Sequence, residues 1–247
     1  VGRAVLVFAA GSLRAALEEV ARSFGPEQGI DLRMTFGASG LLKDRLMAGE
    51  PAQVFASANM AHPEALLAAG KAEQVAPFAS NALCLLAAPS FRLDGTSLVD
   101  RLLDDDVRVG TSTPGSDPSG DYAFRFFELI EETGAAGHGS ADRLKAKALQ
   151  LTGGAGSPRP PPGRNAYAYL VATGQADVFV TYCTNATLAR REEPQLQVLA
   201  VPSAINVSAR YGLALLAPVT GAASAYARFL LGPQGQSILS RHGFGPP

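Results

Sequence analysis

The 247 residues include 21 basic and 22 acidic side chains, for a formal charge of -1, and are 47% hydrophobic and 17% charged. That balance supplies one large core or two smaller ones and excludes a disordered chain, while near neutrality leaves no electrostatic footprint for nucleic acid or an anionic membrane. The longest apolar runs, such as Ala82 to Pro89, fall far short of the roughly 20 residues that span a bilayer.

The chain opens at Val1 and runs directly into the strand-like Ala4-Val5-Leu6-Val7-Phe8, the start expected of a mature exported form or of a trimmed chain. Next come Ala9-Ala10-Gly11-Ser12 and a helix with the apolar stripe Leu13, Ala16, Leu17, Val20 and Phe24, the 3.6-residue period of a helix packed on one face. The unit then repeats. Leu32 to Phe36 leads through Gly37-Ala38-Ser39-Gly40 into a helix that stops at Gly49, and Val54-Phe55-Ala56 leads through Ser57-Ala58-Asn59 into a helix over Pro63 to Ala69. This βα alternation predicts an α/β protein with a largely parallel sheet.

Beyond Asn81 the pattern restarts, with strands at Ala82 to Ala87 and Val107 to Thr111 and a helix at Thr96 to Leu103 between them. A Pro/Gly/Ser turn from Ser112 to Gly120 introduces a helix over Asp121 to Glu132, and the Pro-rich run from Thr152 to Gly163 reads as a loop. The remaining pattern predicts a helix over Asn165 to Thr173, strands at Asp177 to Tyr182, Leu196 to Val201 and Arg210 to Ala217, and helices over Thr220 to Leu231 and Pro233 to Phe244. The economical architecture is two α/β lobes sharing a cleft: residues 1–82 and 211–247 form one, discontinuous lobe and residues 83–210 the other. A single doubly wound sheet uses the same elements.

Ser12 and Ser39 each follow a strand, beside Gly, at the start of an amphipathic helix, which makes both N-cap candidates. Helix N-termini present unpaired N–H groups and partial positive charge, so two such ends with hydroxyl donors can cage an anion without a lysine. A third helix start, Asp117-Pro118-Ser119-Gly120-Asp121-Tyr122, adds the Ser119 hydroxyl and the N–H groups around Gly120. Asp121 is either a first-turn acid favouring the helix dipole or a ligand for a cation. Arg164-Asn165 opens a helix and Tyr182 ends a strand, and each also has an ordinary structural reading. Cys84 and Cys183 are too few for a disulfide scaffold or a four-ligand zinc site, and the expectation is two buried apolar thiols, with a bridge open to an exported chain. His62, His138 and His242 have no His or Cys partner at helical spacing, and neither a nucleophile elbow nor a P-loop occurs.

The stretches VFAAGSLRAALEEVARSF, FGASGLLKDRLMAGEPAQVFASAN, NALCLLAAP, GQADVFVTYCTNA and FLLGPQGQSILSRHGF, in that order and spacing, resemble the periplasmic molybdate-binding proteins of ABC transporters. The resemblance covers both termini and most of the length. It implies a two-lobed type II periplasmic-binding fold, a ligand held by hydroxyls and backbone amides between the lobes, and neither catalysis nor a cofactor. Carried over by position, it implies oxyanion contacts from Ser12 and Ser39, backbone amides at Ser119 and near Arg164, and a tyrosine donor at Tyr182. Gly11, Asp121 and the Arg164-Asn165 pair depart from the family pattern and bear on ligand identity more than on fold. The resulting expectation is a monomeric, periplasmic solute-binding protein that takes molybdate or tungstate, binds no metal cation and delivers to an ABC permease. The alternatives are a binder of another small anion through Arg164 and Asp121, or a small-anion enzyme pairing Asp121 with Arg164 or Tyr182.

Overall fold

Aliphatic runs that end in Gly/Ser turns fold as the predicted βα units. The computed structural model describes residues 3–247, and the chain divides into two units, Val1–Asn81 with Ala209–Pro247, and Ala82–Ser208. The first unit contains β1 (Arg3–Ala10), a single 3-10 turn (Gly11–Leu13), α1 (Arg14–Gln28), β2 (Ile30–Gly37), α2 (Ser39–Met47), β3 (Val54–Ser57) and α3 (Ala61–Ala68). The long strand β4 (Ala72–Ala87) then leads into the second unit.

The second unit continues with α4 (Leu98–Leu103), β5 (Val109–Ser112), α5 (Pro118–Glu132), α6 (Ser140–Lys147), β6 (Leu149–Thr152), α7 (Ala166–Ala172), β7 (Val178–Tyr182), α8 (Cys183–Glu192) and β8 (Gln197–Ala200). The chain returns to the first unit through β9 (Ser208–Leu216) and closes with α9 (Gly221–Leu231) and α10 (Pro233–Arg241).

In the first unit β1 lies between β2 and β3 and is parallel to both, while β9 runs antiparallel to β3. The stripe Leu13, Ala16, Leu17, Val20 and Phe24 is buried as the period requires, and Phe24 meets Tyr226 and Phe229 at ring distances of 5.7 and 5.2 Å. Elsewhere in the unit Phe8, Phe55 and Leu216 pack with Leu42, Leu46 and Leu66. In the second unit β7 is parallel to β5 and β5 to β6, whereas β4 is antiparallel to β7 and β8. Each sheet is therefore mixed rather than largely parallel, because β9 and β4 carry the chain back across it.

Four elements lie wholly or partly outside the sequence pattern, α6 (Ser140–Lys147) among them. β4 begins at Ala72 rather than Ala82, since Glu73, Gln74 and Pro77 hide the strand period. The short strand β6 is hydrogen-bonded to β5 and is half exposed, and α8 opens on Cys-Thr-Asn, residues with weak helix propensity.

Cys84 and Cys183 are joined in a disulfide with Cα atoms 4.7 Å apart, so the expected free thiols are a bridge. Strand pairing brings them together: Leu83 stands opposite Tyr182 and Cys84 opposite Thr181, which puts the first residue of α8 beside β4. The bridge links residues 99 apart in sequence. Reduction should lower the free energy of unfolding by about 2–5 kcal/mol, measured as a shift of the urea midpoint between oxidised and reduced protein.

Candidate functional site

Ala10 at the end of β1 is in register with Gly37 at the end of β2. Ser12 and Ser39 therefore each stand two residues past matched strand ends. Because β1 has β2 on one side and β3 on the other, this is a topological switch point, the place where open α/β sheets take ligands.

Neither serine is a cap. Ala10 and Leu13 occupy the cap positions of the 3-10 turn and α1, and Ala38 caps α2, all without a side-chain hydrogen bond to the helix. The expected capping role is thus replaced by tertiary bonds. Ser39 is 1% exposed and its Oγ accepts the Ala58 N–H at 3.0 Å, which leaves the hydroxyl proton as its remaining donor. The turn bearing Ala58 is held in place because Asn59 Oδ1 accepts from Ser57 Oγ at 3.0 Å and from the His62 N–H at 3.1 Å. Ser12 Oγ is 2.8 Å from the hydroxyl of Tyr211, to which Asn81 Nδ2 donates at 3.4 Å. Arg14 lies over the ring of Phe36 at 4.4 Å, keeping a positive charge beside the ends of β1 and β2. Gly11 has open space where a Cβ would stand, so no steric demand selects glycine there.

The second unit collects Ser119, Tyr182 and Tyr122 at the ends of β5 and β7. Asp117 caps α5, and its Oδ1 accepts the Ser119 N–H at 3.1 Å. Ser119 is 1% exposed, and its Oγ is buried without a hydrogen-bond partner, a state costing about 1–3 kcal/mol unless something else fills it. Buried hydroxyls of Thr111, Ser140 and Tyr226 share that state, and Ser119 stands at a predicted contact position. Gly120 has no room for a side chain: a Cβ would come within 2.6 Å of the backbone at Ser112, Thr113 and Pro114. Its N–H donates to Asp117 O at 2.9 Å.

Tyr182 is buried and meets the Tyr122 ring at 6.3 Å, edge to face. Burial, and after it the Asp121 carboxylate, pushes the Tyr122 phenol up to about 12, so it stays protonated. Asp121 is exposed and accepts the Gly115 N–H at 2.8 Å, closing the turn before α5.

Arg164 is engaged elsewhere. Its Nε donates to Glu192 at 2.7 Å and its Nη2 to Glu193 at 2.6 Å, while its backbone N–H donates to Pro161 O at 3.1 Å. Asn165 caps α7 by accepting the Ala168 N–H at 3.0 Å, and its own N–H donates to Glu192 at 2.9 Å. The pair ties the start of α7 to the end of α8. Among the described residues no group of three or more His, Cys, Asp or Glu is placed to hold a metal ion, and no helix is long and apolar enough to cross a membrane.

A sequence profile of the bacterial extracellular solute-binding proteins matches residues 5–245. The chain belongs to that family. It is 36% identical over 209 residues to an uncharacterized protein of Pasteurella multocida, covering 84% of this chain and 85% of the relative. It is 25% identical over 249 residues to the molybdate-binding protein ModA of Mycobacterium bovis, covering 99% of this chain and 85% of that one. The sulfate-binding protein SubI of Mycobacterium tuberculosis superimposes with a TM-score of 0.78 at 21% identity, covering 99% of this chain and 87% of that chain. The fold is the type II periplasmic-binding fold, and the family is one of solute-binding proteins.

In this solute-binding protein the expected residues thus fall into three groups. Ser12 and Ser39 share the strand ends of the first unit, Ser119, Gly120 and Tyr182 those of the second, and Arg164, Asn165 and Asp121 are spent on local structure. Sequence reasoning missed Tyr211, Asn81 and Ala58, which reach the serines across 199 and 19 residues in the first and last cases and leave no local pattern. Asp117 did leave one, since Asp followed by Pro is a helix-start signature.

Burial holds the Asp117 carboxyl above its ordinary value of 3.8, against the lowering effect of the Ser119 N–H and the Ser112 hydroxyl. A raised carboxyl costs folding energy above its folded pKa and none below the unfolded value, where both states are protonated. Asp117→Asn keeps an acceptor for the cap and removes the charge. The variant should therefore be more stable than the parent at pH 7, with the difference fading as pH falls toward the ordinary 3.8, as urea denaturation across that range will show.

Proposed function

We propose that this protein captures a tetrahedral oxyanion, molybdate or tungstate, in the periplasm for an ABC permease, through Ser12, Ser39, Ser119 and Tyr182. The observation that carries this reading is the buried, unsatisfied Ser119 hydroxyl at the start of α5. Ser39 adds to it: its Oγ already accepts from Ala58, and its proton is still there to give. Neutral donors of this kind suit an anion whose oxygens only accept. Charge-assisted hydrogen bonds contribute about 1.5–3 kcal/mol each, and a micromolar Kd needs about 8 kcal/mol. A handful of such donors is enough.

The likeness to a molybdate-binding relative supports molybdate, whereas the sulfate-binding structure shares only the fold. Size provides the discrimination, since fixed donors spaced for a larger tetrahedron leave some of their number unpaired around a smaller one. The disulfide supports an exported protein, because such bridges persist in oxidising compartments. Arg164 and Asp121 are satisfied within the chain, so neither favours a ligand with a cationic part.

A ligand that binds only the native state at about 100 times its Kd adds about 2.7 kcal/mol, which for a chain of this size raises Tm by about 5–11 °C. Molybdate and tungstate should produce that shift and sulfate little. Equal shifts for all three anions, or none for molybdate, would defeat the assignment.

Calorimetric titration separates the residues. Ser39→Ala removes one donor to a charged ligand and should weaken molybdate binding by about 1.5–3 kcal/mol. Arg164→Ala should leave affinity within a few-fold, because its guanidinium serves Glu192 and Glu193.

A further inference from the structure

Ser12 is held by a line of buried groups that begins well away from it in sequence. Tyr211 in β9 is 0% exposed, with its hydroxyl 2.8 Å from Ser12 Oγ and Asn81 Nδ2 donating to the same phenolic oxygen at 3.4 Å. The ring cannot drift. Phe78 and Phe244 meet it edge-on at 6.1 and 5.5 Å, and the segment bearing Phe244 is pinned to β4 by paired backbone bonds between Ser80 and Gly245 at 2.9 and 2.8 Å.

The chemistry of the two hydroxyls gives the bond a direction. A phenol is the stronger acid and the weaker acceptor of the pair, since its pKa is about 10 and its oxygen lone pair is drawn into the ring. Donation from Asn81 polarises it further in the same sense. The proton between Tyr211 and Ser12 accordingly belongs to Tyr211, and Ser12 Oγ accepts.

We propose that Tyr211, backed by Asn81, is a positioning residue that fixes Ser12 as a hydrogen donor and so makes the strand ends of the first unit discriminate between oxyanions with and without a bound proton. The proposal rests on the reading that Ser12 contacts the anion. Ser39 shows the same arrangement built from main chain: the Ala58 N–H occupies its acceptor side, as the Tyr211 hydroxyl occupies that of Ser12. With both serines loaded in this way, an anion oxygen that only accepts is matched. An O–H presented by hydrogenphosphate finds one lone pair of each serine already occupied and is matched less well than an oxygen that only accepts, and such a mismatch is a built-in penalty against the wrong ligand. Removing the phenolic hydroxyl frees Ser12 to turn and accept.

The test is calorimetric titration of the parent, Tyr211→Phe, Ser12→Ala and the double variant with molybdate and with hydrogenphosphate at neutral pH. Tyr211→Phe keeps the ring between Phe78 and Phe244. It should weaken molybdate binding up to about tenfold, the upper scale of one neutral hydrogen bond, and lower the molybdate-to-hydrogenphosphate ratio by a similar factor. In the Ser12→Ala background the same change should cost less than about twofold, since residues acting through one another are not additive. Asn81→Ala should move the ratio in the same direction by less. Unchanged selectivity in Tyr211→Phe, or a full additive loss in the double variant, overturns the assignment. If Tyr211→Phe does not fold, Asn81→Ala decides it, an unaltered ratio counting against. A parent that binds molybdate but ignores these substitutions refutes the role of Tyr211 alone, whereas a parent that binds neither anion refutes the oxyanion reading and this role with it.

Discussion

A hydroxyl group has one proton and two lone pairs, and the candidate site depends on which of these is already spent. Ser39 receives a backbone N–H and so keeps a proton to give, while Ser12 shares a hydrogen bond with the Tyr211 phenol. Ser119 has its amide tied to Asp117 while its hydroxyl is buried and unsatisfied. These are donor positions made from uncharged residues. Under the proposed reading they match a ligand that is all acceptor, offered by a chain of nearly zero net charge.

The scaffold that keeps these groups in place differs between the units. In the first, parallel pairing in register sets the ends of β1 and β2 level, and the turn after β3 brings Ala58 to Ser39. In the second, a glycine without room for a side chain lets α5 start hard against the turn after β5, and the disulfide fixes the residue next to Tyr182 to β4. Both solutions limit rotamer and backbone freedom before a ligand arrives, which preserves binding energy otherwise lost to ordering.

Charge near these positions in the second unit is satisfied within the unit. Arg164 is consumed by Glu192 and Glu193, and Asp121 by the Gly115 N–H. A full charge left unpaired beside the donors would favour any ion of opposite sign, whereas dipoles at fixed positions distinguish ligands by geometry and proton content. The same surroundings keep the Tyr122 phenol protonated, because burial and the Asp121 charge both raise its pKa.

The sequence by itself determined the α/β class, the βα repeats and the buried stripe of α1, because period and turn chemistry are local and survive without knowledge of the fold. It also marked Ser12 and Ser39 as residues just past strand ends. What those hydroxyls do was not legible: a cap and a tertiary hydrogen bond have the same local signature, and the partners Tyr211 and Ala58 enter from elsewhere in the chain. β4 was half hidden because Glu73, Gln74 and Pro77 break its alternation, and the Cys84–Cys183 bridge became visible only when antiparallel pairing of β4 with β7 set the two residues side by side. Arg164 illustrates the same limit, since a guanidinium at a helix start looks available until Glu192 and Glu193 arrive from the end of α8. Tertiary structure alone decided which polar groups were satisfied and which were left with a proton, because hydrogen-bond satisfaction depends on distances between residues that the chain brings together only on folding.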